Sequence, residues 1–80
     1  MPQREQRDKA AVHEAIGRAI HAVRSEQGYT QAAFALEVGI GPSRMSAIER
    51  GEFNLTVDTL LAIATELGMS VPQLLERADL

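Results

Sequence analysis

Ser43, Arg44, Ser46 and Ala47 fall within five consecutive residues, with Arg50 one helical turn further on. A serine hydroxyl donates and accepts, a guanidinium forks onto two acceptors, and an alanine methyl packs on another methyl. This set is suited to recognition rather than to bond-making. The surfaces it fits are the base edges of a duplex groove, where arginine pairs with guanine and alanine meets a thymine methyl. At about 100° per residue, with Met45 and Ile48 turned inward, Ser43 and Arg50 point almost directly outward. Ser46 and Ala47 also lie outside, and Pro42, Arg44 and Glu49 sit on the flanks.

The elements that must hold this face are two short helices and a glycine turn over residues 31–50, a helix-turn-helix. Thr30 is an N-cap for the first, over about 31–38. Phe34, Ala35 and Val38 form its buried stripe, with Ala35 small enough for a second helix to cross closely. Gly39 tolerates the left-handed conformation after a helix end, and Ile40 returns to the core. Gly41 stands at the next N-cap and Pro42 at a first helical position, where no N–H is needed. That second helix is expected over about 42–50, anchored by Met45 and Ile48 and ended by Gly51.

Tyr29-Thr30-Gln31, Phe34-Ala35, Val38-Gly39-Ile40, Ile48-Glu49-Arg50-Gly51 and Leu67-Gly68 together resemble the lambda repressor/Cro-like helix-turn-helix family, the XRE family, over about residues 16–76. Short phage-type repressors and restriction–modification controller proteins are similar in kind. The resemblance implies an all-α, compact five-helix domain whose second and third helices form the DNA-binding motif. Ile40-Gly41-Pro42-Ser43 and Ala47 look like the family's reading helix, so Ser43 and Ala47 are implied base contacts, with Arg44 and Ser46 as supplements. Gln31 matches the family glutamine that binds phosphate and braces the reading helix. Pro42 departs from the pattern: many relatives carry a polar reader there, and proline offers no bidentate adenine contact. Family members also pair the positions of Arg24 and Glu49 inside the bundle, which makes Glu49 structural.

The resemblance further implies backbone contacts to DNA from Thr30, Gln31 and Pro42 at helix starts, and from Arg50, Asn54 and Thr56 around the loop after the reading helix, which in the family lies along the DNA backbone. The formal net charge of −3 runs against a nucleic-acid partner, but six of the eleven acidic residues (Glu5, Asp8, Glu14, Glu66, Glu76, Asp79) lie in terminal segments or late helices. With Glu49 neutralised internally, the reading face is weakly positive, and a shallow salt dependence per monomer is expected.

The remaining chain frames this motif. Residues 1–9 are polar, a tail or helix extension, and residues 10–80 form the domain. Val12, Ile16, Ile20 and Val23 mark a first helix from about Lys9 to Gln27. Thr56 caps a fourth helix, with Val57, Leu60, Ile63, Ala64 and Leu67 expected on its buried side. Ser70 caps a fifth, with Pro72 in its first turn. Leu61, Leu74, Leu75 and Leu80 are the expected homodimer interface, since one reading helix covers few bases and two half-sites one turn apart are commonly read together.

Other chemistries find no support. The chain has no cysteine, and therefore neither disulfides nor thiolate metal sites. His13 and His21 are eight residues apart and are expected on the surface without a metal role. No phosphate-binding glycine loop or HExxH is present, so neither enzyme activity nor a cofactor is expected. No apolar run approaches the about 20 residues that span a bilayer, and no secretory leader is apparent. These features suggest a cytoplasmic, nucleoid-associated protein binding double-stranded DNA. The alternative is an antitoxin or adaptor that uses the same fold to bind protein. A toxin or RNA polymerase as partner is not specified by the sequence.

Overall fold

Thr30, Thr56 and Ser70 each stand one residue before a helix, and each side-chain oxygen accepts the backbone N–H three residues on. At Ser70 the bond is reciprocated. Gln73 Oε1 accepts the Ser70 amide at 2.9 Å, completing a capping box. These caps start three of the helices in the computed structural model, which describes the backbone of residues 2–52 and 55–80 and the side chains from residue 9 onward. The order is α1 Pro2–Glu26, α2 Gln31–Val38, α3 Pro42–Glu49, α4 Val57–Glu66 and α5 Val71–Arg77. No strand occurs among the described residues. The fold is the expected all-α, five-helix arrangement.

α1 begins seven residues before the expected start. Its first turns contain no apolar stripe, but Gln3, Arg4, Glu5, Gln6, Arg7 and Lys9 are good helix formers, and Pro2 occupies the one position where proline favours a helix. Apolar periodicity marks only the part of a helix that packs, and among the described side chains the first against the core is the half-buried Val12. Downstream, Ile16, Ala19, Ile20 and Val23 line one side of the core.

Phe34, Ala35, Met45, Ile48, Ile63, Ala64, Leu67 and Leu74 complete the core, drawn from α2 to α5. The fully buried Phe34 is met edge-on by Tyr29, with ring centroids 5.3 Å apart. Two expectations need correction here. Leu74 is fully buried in the monomer, so it closes the core rather than forming a dimer surface. α5 is only seven residues long, too short for periodicity to separate an inward leucine from an outward one. Val57 is 77% exposed instead of buried. As the first residue of α4, it precedes by more than a turn the Ile63–Ala64 level where the core begins.

Candidate nucleic-acid interface

The turn between α2 and α3 fixes the angle of the motif. Gly39 adopts φ +88°, and its amide donates to Ala35 O at 2.9 Å; the Ile40 amide shares that acceptor at 3.0 Å. A left-handed residue here closes α2 and sends Ile40 back toward the core. α3 then starts at Pro42 with no side-chain cap, after an extended Gly41. Met45 and Ile48 are buried, as the helical wheel requires.

The outward side carries Pro42, Ser43, Arg44 and Arg50 as exposed residues, with Ser46 and Ala47 half-buried. Both half-buried residues are contacted from the end of the helix. Arg50 Nη1 donates to Ser46 Oγ, folding the arginine back along its own helix, and the Glu52 amide donates to Ala47 O at 2.9 Å. Arg50 Nε also donates to Glu52 Oε1 at 3.0 Å. The structure thus places the candidate base-reading residues on one side of α3, but Arg50 is engaged by residues of that same side.

The rear of α3 is held by a polar cluster around Glu49. Arg24 Nε donates to Glu49 Oε2 at 2.7 Å and Arg24 Nη2 to Oε1 at 3.0 Å, a bidentate pair with both side chains almost fully buried. Gln31 Nε2 donates to Oε1 at 3.1 Å, bracing α3 from the first residue of α2. The third donor of the arginine fork, Nη1, reaches Tyr29 O at 2.8 Å. Burial pushes the Glu49 carboxyl up, but hydrogen bonds from Arg24, His21 and Gln31, together with the Arg24 charge, outweigh it and hold the group below the usual carboxylate range. Glu49 therefore stays ionised, its charge matched by the buried Arg24 on the α1 side of the helix.

His21 joins this cluster, a role the sequence did not suggest. Its Nδ1 lies 3.0 Å from Glu49 Oε1 and 2.9 Å from Arg24 Nη2. An unprotonated Nδ1 accepts from the arginine; a protonated one donates to the carboxylate. The ring remains largely exposed, so the surface expectation was right about its position and missed its contact. The only available signal was its i, i+3 spacing from Arg24.

Gly17 was missed altogether. A Cβ at this position would lie 2.5 Å from Glu49 O and 2.7 Å from Ile48 O. α1 therefore runs with its backbone directly against the C-terminal end of α3. A glycine inside a helix is the signal that could have shown it, since such a residue needs a packing reason.

The remaining candidates are distributed as follows. Thr30 and Thr56 are exposed caps, their oxygens accepting from the amides of Ala33 and Thr59. Asn54 lies outside the described residues. Leu61 and Leu80 are about half exposed and Leu75 is half-buried. Leu36 is 78% exposed, the most of any large apolar residue among those described, and had no assigned role. Among the described residues there is no cluster able to hold a metal ion, and no helix is long and apolar enough to cross a membrane.

Comparison with known proteins agrees with this arrangement. A family model described as helix-turn-helix matches residues 20–74. The chain is 36% identical over 56 residues, 70% of its length, to the immunity repressor protein of Bacillus phage phi105, and it spans only 39% of that relative. Among solved structures, the clp gene regulator ClgR from Corynebacterium glutamicum has a TM-score of 0.82 at 29% identity, covering 85% of this chain and 72% of ClgR. The restriction–modification controller protein C.AhdI from Aeromonas hydrophila has a TM-score of 0.73 at 26% identity, covering 76% of this chain and 92% of its own. A variant of the controller protein C.Esp1396I gives 0.77 at 28% identity, covering 85% and 91%. Together with the capped turn, the buried anchors and the outward face of α3, these matches show that the chain belongs to the XRE-type helix-turn-helix family of DNA-binding transcriptional regulators.

Proposed function

We propose that this protein is a sequence-specific regulator that lays α3 in the major groove and binds a palindromic operator as a homodimer. One observation carries the reading. α3 is fixed from behind by Met45, Ile48 and the Arg24–Glu49 pair, while Ser43, Arg44, Ser46 and Ala47 share its other side. Small side chains let that helix approach base edges closely. Ser43 and Ala47 contact bases, supplemented by Arg44 and Ser46. Gln31, Arg50, Asn54 and the amides at the starts of α2, α3 and α4 contact the backbone. Leu61, Leu75 and Leu80 contribute the dimer surface, without Leu74. The protein acts at the nucleoid, in the cytoplasm.

Selection of bound sequences from random duplexes tests the whole reading. The expected product is a palindrome with half-sites about one helical turn apart. Ser43→Ala combined with Arg44→Ala should abolish selection of that sequence while leaving the melting temperature unchanged. Normal operator binding by the double variant would remove α3 as the reader. A protein-binding module on the same fold is the second reading, favoured by the net charge of −3 and by Leu36 standing exposed on α2. Failure of any duplex to be enriched, with capture of a specific protein, would establish it instead.

A further inference from the structure

Past α3 the chain turns back over the helix end. The Gly51 amide donates to Ile48 O at 3.0 Å and the Glu52 amide to Ala47 O at 2.9 Å, which sets residue 52 beside the last turn. Little freedom remains at this turn. Gly51 has φ +75°, and a Cβ there would lie 2.8 Å from Glu14 Cα. The fold itself therefore delivers the Glu52 carboxylate to the side of α3 that carries Ser46 and Arg50. There it accepts from Arg50 Nε at 3.0 Å, while Arg50 Nη1 donates to Ser46 Oγ. Ser46 and Arg50 are four residues apart and stack along one helix face. The guanidinium is thus aligned by a neutral hydroxyl and neutralised by a carboxylate.

We propose that Glu52 is an intramolecular competitor for DNA phosphate at Arg50, a proposal that rests on the DNA-binding function above. The pair is open to water, with the two side chains 54% and 61% exposed. Exposed pairs of this kind are weak and yield readily to another anion. A phosphate replaces the carboxylate on Arg50, and Ser46 keeps the guanidinium aligned during the exchange. The displaced carboxylate loses its partner on Arg50, and that loss is the same for DNA of every sequence. Affinity for non-operator DNA is lowered, and operator binding depends more on contacts that distinguish bases.

The test is fluorescence anisotropy with a random-sequence duplex over a range of salt concentrations, using wild type, Glu52→Gln, Arg50→Ala and the double variant. Glutamine keeps the backbone amide that closes α3, so the fold is retained, and a thermal melt verifies this. Glu52→Gln should bind about three- to tenfold tighter at low salt, with a log–log salt slope steeper by about one, the increment for one neutralised phosphate. In the Arg50→Ala background the same substitution should give no gain in slope and little in affinity. Unchanged or weaker binding by Glu52→Gln overturns the proposal, as does an equal gain without Arg50, which would reflect overall charge alone. If wild type binds no duplex even at low salt, the DNA-binding function fails with it; wild-type binding that Glu52→Gln leaves unaltered defeats only the competitor role.

Discussion

On the rear side of α3, the Glu49 carboxylate has hydrogen-bond partners from α1 and α2, and the pair it forms with Arg24 is nearly dry. On the front side, Arg50 bonds, among the described residues, to Ser46 one turn back and to Glu52 just beyond it, in water. The rear contacts tie distant segments together and fix where the helix stands. The front contacts tie near neighbours and can be exchanged without moving the helix. On the proposed function this division is useful, since a face that rearranges against DNA can do so only on a support that does not move. Charge placed in a dry site resists change because an unpaired ion there is costly, whereas charge in water rearranges at little cost.

The comparison breaks most visibly at Glu49. Glu49→Ala leaves the Arg24 guanidinium buried without its carboxylate, and removal of one partner of such a pair costs about 3–5 kcal/mol. An 80-residue domain has about 4–12 kcal/mol in total, so the variant should melt far below wild type or be largely unfolded at room temperature. An unchanged melting temperature would show that the rear cluster carries no stability.

Gly17→Ala tests the close approach of α1 to the same helix end. The added methyl meets the Glu49 and Ile48 carbonyl oxygens, which are backbone and cannot swing aside. A gain in helix propensity of up to about 1 kcal/mol is expected to be exceeded by overpacking of about 1–3 kcal/mol. Urea denaturation should therefore show a lower midpoint, where an ordinary exposed helix position would show a higher one.

Acid sharpens the contrast. Because Glu49 sits below the usual carboxylate range when folded, the unfolded chain takes up the proton first as pH falls. Its contribution is fully present above the unfolded carboxylate value and is lost as pH drops through the lower, folded one. The stability gap between wild type and Glu49→Gln should be constant near neutrality and close steadily in the acid range. A gap that widened on acidification would reverse the sign of this linkage.

The smallest effect is expected at a pair of the exposed type elsewhere in the molecule. Arg77 Nη2 donates to Glu26 Oε2 at 2.5 Å, joining α5 to the end of α1 at the surface. The hydrogen bond from Arg77 lowers the Glu26 carboxyl, yet both groups stand in water. Glu26→Gln should leave the melting temperature unchanged within error. A clear loss would mean that exposed and dry pairs in this protein do not differ as described.

Much of the local architecture was legible along the chain. Thr30, Thr56, Ser70 and Gly39 act on groups three or four residues away, so spacing alone identifies them. The inward pair Met45 and Ile48 was legible for the same reason. The Arg24–Glu49 pair was anticipated only through family resemblance, since no local rule links residues 25 apart. Gly17 and His21 went unread because each acts across a contact that exists only once α1 and α3 are packed, whereas Glu52 meets Arg50 two residues away, where the chain turns back over the end of α3. Leu74 and Leu75 could not be separated, as a seven-residue helix of about two turns offers too few apolar positions to define a face.

By itself, then, the sequence determined the helices from Val12 onward, their caps, the glycine turn and the inward anchors Met45 and Ile48, because backbone geometry and local hydrogen bonds act over a few residues. Only the tertiary structure decided which charges are dry and which are wet. It buried Glu49 with Arg24 against α1 and left Arg50 in water with Glu52. Two glutamates three residues apart thus came to sit in opposite surroundings, and solvent access, a property of the packed chain, sets how strongly an ion pair holds.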